Sequence, residues 1–227
     1  MSQALRLVIF DVDGTLVDSQ ADILAAMAMA FDSVQAPPPG RAAVLAIVGL
    51  SLDQAMFRLA PEHDDATRAK MVKAYKDAYM TLRAKVGAQV SSPLYPGARA
   101  ALELLHAAPE VLLGVATGKS KRGLDKLLEA HDLGRFFVTQ QVADFHPSKP
   151  HPSMILQAMA DTGALPQDTV MVGDTSFDMD MAAAAGASGL GVSWGYHPRA
   201  ALGNAAQIID CFEDLPAALV DLRRAQR

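Results

Sequence analysis

The sequence has few of the residues that build cross-linked, secreted or nucleic-acid-binding proteins. Its single cysteine, Cys211, excludes an intramolecular disulfide and a cysteine-rich metal site. No basic run of the kind that follows a nucleic-acid backbone occurs, and the formal net charge is −5. The N-terminus lacks the features of a secretory signal, and the uncharged segment 181–196 is shorter than the ~20 apolar residues of a spanning helix. These absences predict a cytoplasmic protein with neither a nucleic-acid nor a membrane partner.

The chain does contain enough apolar residues for a sizeable core. Of its 227 residues, 51% are hydrophobic and 20% are charged, which excludes a disordered chain. A chain of this length forms one large domain or two small ones. The distribution of helix and strand signals along the sequence favours two parts.

The first part, residues 21–85, has the periodicity of helices and little strand signal. Ile23, Met27 and Phe31 recur at the spacing of one helical face, and the prolines at 37–39 end that helix. The stretch 87–96 is typical of a linker. We expect helices at about residues 23–34, 41–48, 51–60 and 71–82, the third with Ser51 as its cap.

In the second part, after Pro96, strand and helix signals alternate. Alternation of this kind predicts an α/β fold, with a doubly wound, parallel and Rossmann-like sheet. A short apolar run at residues 7–10 adds one more buried strand before the helical part. The later strands are expected at residues 111–116, 136–139, 169–172, 189–193 and 207–209.

Two aspartates follow the first strand directly. Asp11 and Asp13 are succeeded by Gly14 and Thr15, and the carboxyl ends of strands line the ligand crevice of an open α/β sheet. Two carboxylates so close together repel each other unless a cation lies between them. The spacing therefore indicates a metal-bound anion site. The alternative that these residues leave open is a hairpin turn, in which Asp-Gly is common.

Polar residues also follow three later strands. Thr117 and Gly118 end one strand, Lys149 lies in a later loop, and Asp174 and Asp178 follow another strand. Each has a plain structural alternative: Thr117 as a helix cap, Lys149 as a solvated lysine, and the two aspartates as cap and surface of a helix. Their order on successive strand ends favours one shared site.

These residues together resemble the four motifs of the haloacid dehalogenase-like (HAD) superfamily of phosphohydrolases. The family's DxDGT motif matches residues 11–15, and its Ser or Thr after the second core strand matches Thr117. Its Lys before a proline matches Lys149, and its GDxxxD motif matches residues 173–178. The resemblance spans nearly the whole chain and implies a phosphatase.

The resemblance also implies a division into two domains. Residues 1–16 and 95–227 would form the α/β catalytic core, and residues 17–94 would form a small all-helical cap. The cap must open to admit substrate and close to exclude water. We expect its hinges at the two connections, residues 16–20 and 91–96.

The family's catalytic roles carry over to four residues of this sequence. Asp11 would attack phosphorus and carry the phosphoryl group as a transient aspartyl phosphate. Asp13 would protonate the leaving oxygen and then deprotonate water, and acidic neighbours are expected to favour its protonated form. Lys149 would neutralise the nucleophile and the phosphate, and Thr117 would donate its hydroxyl to a phosphate oxygen.

The resemblance implies Mg²⁺ as the cofactor, which prefers oxygen ligands. Asp11 and Asp174 would bind it through their carboxylates. Asp13 would bind it through its backbone carbonyl, and Asp178 would hold a metal-bound water.

Other residues are candidates for substrate contact. Gly14, Thr15 and Gly118 belong to the phosphate-binding motifs, and Gly49 and Ser51 are the cap residues that we nominate. Arg58 is a further cap candidate, whereas Trp194 and Tyr196 are expected only to pack.

Several activities remain open at this point. The string DGTLVDS resembles phosphoglycolate phosphatase and its relatives, so a small-molecule phosphate monoester (phosphoglycolate-like or a sugar phosphate) is the expected substrate. A sugar phosphomutase of the β-phosphoglucomutase type is the alternative, followed by a pyrophosphatase. A receiver-like phospho-aspartate switch is the non-enzymatic alternative. The oligomeric state cannot be read from the sequence.

Overall fold

The computed structural model describes residues 5–225, and within them six strands form one parallel sheet. The strand order is β3-β2-β1-β4-β5-β6, and every neighbouring pair is parallel. The first strand therefore lies at the centre, between the second and the fourth. The strands are β1 (Arg6–Phe10), β2 (Val111–Thr117), β3 (Phe137–Val142), β4 (Thr169–Gly173), β5 (Ser188–Val192) and β6 (Gln207–Ile209).

Five helices lie between β1 and β2 in the sequence. They are α1 (Gln20–Asp32), α2 (Arg41–Leu45), α3 (Leu52–Leu59), α4 (Asp65–Val86) and α5 (Ala88–Ser91). Residues of α1 to α4 pack around an apolar cluster of their own, which includes Met27, Phe31, Met56 and Met71. This separate cluster makes the helical part a unit distinct from the sheet.

The remaining helices cover the two faces of the sheet. They are α6 (Ala98–His106), α7 (Lys121–Ala130), α8 (Ser153–Thr162), α9 (Ser176–Ala184) and α10 (Leu215–Ala225). Side chains alternate along β1, so Val8 and Phe10 pack with α6, α7 and α10, while Leu7 and Ile9 pack with α8 and α9. Burial on both faces explains the continuous apolar run of this strand.

Three predicted segments differ from the structure, and one is the helix expected at residues 71–82, which runs instead from Asp65 to Val86. The strand expected at residues 136–139 runs instead from Phe137 to Val142. It is an edge strand of the sheet, and the polar pair at 140–141 is tolerated because Gln141 donates hydrogen bonds to Thr139 and Asp161. The expected linker at residues 87–96 contains the short helix α5.

The two connections between the helical unit and the sheet lie side by side. The Asp18 N–H donates to the Pro93 carbonyl at 2.9 Å, and the Tyr95 N–H donates to the Leu16 carbonyl at 3.0 Å. Val17 and Leu94 form an antiparallel bridge between these bonds. This pairing places both expected hinges at one point, although the domain boundaries and the hinge motion stay predictions.

Two findings bear on the expected location of the protein. Across residues 5–225, no helix combines the length and the apolar character that crossing a membrane requires. Cys211 is exposed and free. The cytoplasmic location stays a prediction.

Candidate active site

The polar residues at the strand ends converge on one edge of the sheet. Because β1 lies between β2 and β4, its Asp11 has Thr117 on one side and Asp174 on the other. The carboxylates of Asp11, Asp174 and Asp178 lie within 4.8 Å of one another, and all three residues are buried. The hairpin alternative for residues 11–14 is wrong, since the chain returns to the sheet in parallel rather than antiparallel pairing.

Lys149 is fully buried at the centre of this acidic cluster. Its Nζ lies 2.6 Å from Asp178 Oδ1 and 3.0 Å from Asp11 Oδ2. Burial lowers the pKa of Lys149, but the two carboxylates outweigh that effect and hold the pKa above its usual value. Lys149 is therefore a buried cation and not a solvated loop lysine.

The two carboxylate oxygens of Asp11 differ in their hydrogen bonds. Its Oδ1 accepts a hydrogen bond of 2.7 Å from the Val12 N–H, whereas its buried Oδ2 accepts none. The Lys149 ammonium lies 3.0 Å from Oδ2 and forms an ion pair with it. Burial raises the pKa of Asp11 to about 7, with Lys149 opposing the rise and Asp178 adding to it. Burial without a bound cation therefore disfavours the charged form of this carboxyl group.

Asp174 is held from both sides by the loops around it. The Thr15 hydroxyl donates to Asp174 Oδ1 at 2.9 Å. Gly14 has φ +84°, and a Cβ at that position would lie 2.2 Å from Asp174 Oδ2. The structure gives both residues a contact with Asp174, and the substrate contact expected for them stays a prediction. They position this carboxylate, and a larger residue at 14 would displace it.

Burial also changes the protonation of Asp174. It raises the pKa of this carboxyl well above the usual value, and the charges of Asp178 and Asp11 raise it further. The carboxylates of Asp11, Asp174 and Asp178 therefore repel one another when they are charged.

Tyr196 takes part in the site, although the sequence predicts only packing for it. Its backbone N–H donates to Asp174 Oδ2 at 2.8 Å, and its hydroxyl accepts a hydrogen bond of 2.9 Å from the Ser19 N–H. No sequence motif signals such a backbone contact. Trp194 packs with its ring centroid 4.7 Å from that of Phe212, and its Nε1–H also donates to the Thr15 carbonyl at 3.1 Å, so it does more than pack.

Asp178 has two structural roles at once. It forms a capping box with Thr175 at the start of α9, in which each side chain accepts the other residue's backbone N–H. Its other oxygen pairs with Lys149 at 2.6 Å. The N-cap of α9 is thus Thr175 rather than Asp174, and Asp178 is buried rather than on the helix surface, so the structural alternative given for the two aspartates is wrong.

The cluster fits a divalent cation. Three buried carboxylates face the ammonium group of Lys149, so in their charged forms they carry an excess of negative charge that a cation would neutralise. Asp11 Oδ2 is buried and accepts no hydrogen bond, as expected of an oxygen available to a cation. The carboxylate of Asp13 is not part of this cluster. The metal contact through its backbone carbonyl stays a prediction.

Asp13 points away from the acidic cluster and towards Lys119. The Nζ of Lys119 lies 2.6 Å and 2.7 Å from the two carboxylate oxygens, and the Ser19 hydroxyl donates to Oδ1. The sequence predicts acidic neighbours for Asp13, but the nearest charged group in the structure is the ammonium group of Lys119. Burial lowers the pKa of Lys119, and Asp13 and Tyr79 reverse the effect and raise it above the usual value.

Thr117 faces the same cavity and does not cap a helix. It is 1% exposed, and its hydroxyl oxygen accepts a hydrogen bond of 3.2 Å from the Lys119 N–H. The N-cap residue of helix α7 is Ser120, whose side chain accepts a hydrogen bond from the Gly123 N–H. The helix-cap alternative for Thr117 is therefore wrong.

The cap loop at residues 49–51 docks directly on the core. A Cβ on Gly118 would lie 2.6 Å from the Leu50 carbonyl oxygen and 2.7 Å from that of Gly49. The Ser51 N–H donates to Ser148 Oγ at 2.8 Å. Gly49, Ser51 and Gly118 all line a cavity of about 960 Å³ that also contains Asp11 and Asp13. Their contact with substrate stays a prediction.

Arg58 lies apart from this cavity. Its guanidinium packs over the ring of Phe177 in α9, 5.2 Å from the ring centroid. The contact makes Arg58 part of the interface between the cap and the core.

Comparison with known proteins adds independent findings. A family model described as haloacid dehalogenase-like hydrolase matches residues 8–192. The chain is 38% identical over 218 residues to a probable phosphatase, IndB, of Dickeya dadantii, covering 93% of this chain and 92% of the relative. It is 30% identical over 237 residues to a phosphoglycolate phosphatase of Salmonella typhimurium, covering 96% and 93%. A hydrolase structure from Pseudomonas syringae matches with a TM-score of 0.83 at 26% identity, covering 96% and 99%.

Proposed function

The chain belongs to the haloacid dehalogenase-like hydrolase family, and we propose that it hydrolyses a small-molecule phosphate monoester with Mg²⁺ through an aspartyl phosphate. Its enzyme class, a hydrolase of phosphoric monoester bonds, follows from the family match and the two phosphatase relatives. Phosphoglycolate-like compounds and sugar phosphates are the first substrates to test, because one relative is a phosphoglycolate phosphatase.

One observation carries the proposal. Asp11 and Asp174, which are far apart in the sequence, meet in a buried cluster with Lys149 beside Asp11. Hydrolysis of phosphate monoesters needs rate accelerations of up to ~10²¹, and most of that must come from positioning and charge neutralisation. A cluster with a free carboxylate oxygen and a buried ammonium group supplies both.

In the first half of the reaction, one carboxylate oxygen of Asp11 attacks phosphorus while the bond from phosphorus to the leaving oxygen breaks. Asp13 gives that oxygen a proton, so the alcohol leaves as a neutral molecule. Lys149 neutralises charge on the attacking carboxylate and on the phosphoryl group. Mg²⁺, held by Asp11 and Asp174, would supply further neutralisation of the phosphoryl oxygens.

In the second half, water attacks the phosphorylated Asp11. Asp13, now a carboxylate, takes a proton from that water, and inorganic phosphate leaves with Asp11 restored. Lys119 and Ser19 hold the Asp13 carboxylate at the cavity wall, where both proton transfers take place.

The test is release of inorganic phosphate from a panel that contains 2-phosphoglycolate, sugar phosphates and phenyl phosphate. The wild type is expected to release phosphate with Mg²⁺ and not with a chelator, and Asp11→Asn is expected to abolish release. Asp180→Asn is the matched control, because Asp180 lies on α9 and contacts Asn204 rather than the cluster.

Two results would contradict the proposal. The first is the absence of Mg²⁺-dependent phosphate release from every compound. The second is isomerisation of a hexose 1-phosphate with no net release of phosphate, which would establish the phosphomutase alternative.

A further inference from the structure

The cavity beside Asp11 is larger than a small hydroxy acid needs. Its volume is about 960 Å³, and it extends from the catalytic aspartates into the gap between α4 and α7. Cavities of roughly 300–1,000 Å³ bind drug-sized molecules, so this one lies near the top of the range. The space remains with the cap docked, because the carbonyls of Gly49 and Leu50 are already in contact with Gly118.

The inner part of the cavity has apolar and aromatic walls. Met27 and Val48 line it, as do Tyr75 and Tyr79 of α4. The two tyrosine rings are stacked, with centroids 5.9 Å apart and an interplanar angle of 23°. Such walls suit the flat, apolar body of a ring-containing compound.

The outer part of the cavity carries unpaired positive charge. Lys73 and Lys126 are neutralised by ion pairs with Asp77 and Glu129. Three other cations line the cavity, namely Lys76, Arg83 and Arg122. Among residues 5–225, none of these three has a carboxylate within 4.0 Å. Two carboxylates of the lining, Asp53 and Asp144, also have no ion pair within residues 5–225, so the unpaired groups carry a net positive charge that attracts an anion.

Arg83 is the cation best placed to bind such a group. Its Nη2 is buried and has no hydrogen-bond partner in the described part of the chain, while its Nη1 makes only a long contact of 3.4 Å with the Gly123 carbonyl. A buried guanidinium nitrogen without an acceptor is costly, and it is satisfied when a ligand supplies the acceptor. Arg83 follows Tyr79 by four residues, about one helical turn or ~6 Å further along α4.

We propose that the substrate is a phosphate monoester whose alcohol is a large, ring-containing body with a second anionic group, and that Arg83 binds this second group. The inference rests on the proposed phosphatase activity and names the substrate class of that same site. The ring lies along Tyr75 and Tyr79, and the anionic end lies between α4 and α7. Arg83 thus determines substrate specificity, whereas Asp11 reacts with phosphorus.

The experiment uses three synthetic substrates: phenyl phosphate, 4-biphenylyl phosphate and the 4′-carboxylate of the latter. The remote carboxylate changes the leaving oxygen very little but adds the second anion. The wild type is expected to prefer the carboxylate over 4-biphenylyl phosphate by about tenfold or more in kcat/KM, the effect of one charge-assisted hydrogen bond. Arg83→Gln should remove this preference, and Arg83→Lys should keep part of it.

Controls separate this inference from the proposed function. Phenyl phosphate has no second anion, so Arg83→Gln should lower its kcat/KM less than that of the carboxylate substrate. Circular dichroism spectra that match those of the wild type show that the variant folds. Arg199→Gln should keep the full preference, because Arg199 pairs with Asp210 away from the cavity. Equal kcat/KM for the two biphenylyl substrates, or a preference unchanged in Arg83→Gln, would overturn the inference. Failure of the wild type to release phosphate from any compound, of these three or of the panel above, would instead overturn the proposed function.

Discussion

The ammonium group of Lys119 lies 2.6 Å and 2.7 Å from the two carboxylate oxygens of Asp13, across the entrance to the acidic cluster. Lys119 also has its Nζ 5.2 Å from the ring centroid of Tyr79, on the cap. One side chain of the core therefore touches both the expected proton-transfer group and the cap. This relationship links cap docking to the position of Asp13.

Lys119→Met is expected to lower kcat by about ten- to a hundredfold, because the Asp13 carboxylate loses the group that holds it in place. Lys119→Arg should recover part of the activity, since it retains the charge. Steady-state kinetics with phenyl phosphate across a pH series measure kcat for both variants. The dependence of kcat on pH is expected to change in Lys119→Met and not in Lys119→Arg. Lys121→Met is the control, because Lys121 pairs with Asp125 on the surface. Wild-type kcat and pH profile in Lys119→Met would disprove this role.

Mg²⁺ is expected to stabilise the protein more as the pH rises. The folded-state pKa values of Asp11, about 7, and of Asp174 are raised, so their contribution to stability is present below the unfolded pKa of about 4 and is lost as the pH rises through the folded values. A divalent cation binds the deprotonated carboxylates and offsets that loss. The difference between urea midpoints in Mg²⁺ and in chelator should therefore grow from about pH 5 to about pH 8.

The controls for this prediction are two acid-to-amide variants. Asp174→Asn should reduce the gain from Mg²⁺ strongly and should not destabilise the chelated protein at high pH, since it removes one of three like charges. Asp180→Asn should behave as the wild type. A gain from Mg²⁺ that is the same at both pH values would count against the buried cluster as its binding site.

Gly118→Ala is expected to lower kcat/KM by about tenfold or more through loss of cap docking. The new methyl group would lie 2.6 Å from the Leu50 carbonyl oxygen and 2.7 Å from that of Gly49, so the cap loop must move away. A shift of about 1 Å in a catalytic arrangement can cost on the order of a hundredfold in rate. Gly134→Ala is the control, because a Cβ there meets nothing within 4 Å. Unchanged kcat/KM in Gly118→Ala would show that the loop need not dock for turnover.

Much of the fold is predictable because the sequence signals are local. The apolar run before Asp11 and the later alternation of strands and helices predict the parallel sheet, and side-chain burial on both faces is the physical reason. The end of β3 is not predictable in this way. Its residues Gln140 and Gln141 interrupt the apolar pattern, and only the contact of Gln141 with Asp161 shows how the strand accommodates them.

The site is predictable where it depends on strand ends and not where it depends on side-chain direction. Parallel strands bring their carboxyl ends to one edge, so the meeting of Asp11 and Asp174 follows from topology. The pairing of Lys119 with Asp13 depends on the bend that follows β2 and on side-chain rotamers, and neither has a sequence signal. Tyr196 acts through its backbone N–H, which carries no sequence signal.

The most direct test of the account is to locate the phosphoryl group during turnover. The wild type, quenched in acid while it hydrolyses phenyl phosphate with Mg²⁺, is reduced with borohydride and sequenced by mass spectrometry. An aspartyl phosphate at position 11 becomes homoserine, so we expect homoserine in place of Asp11 and unmodified Asp13. Homoserine at another aspartate, or none during sustained phosphate release, would contradict nucleophilic attack by Asp11.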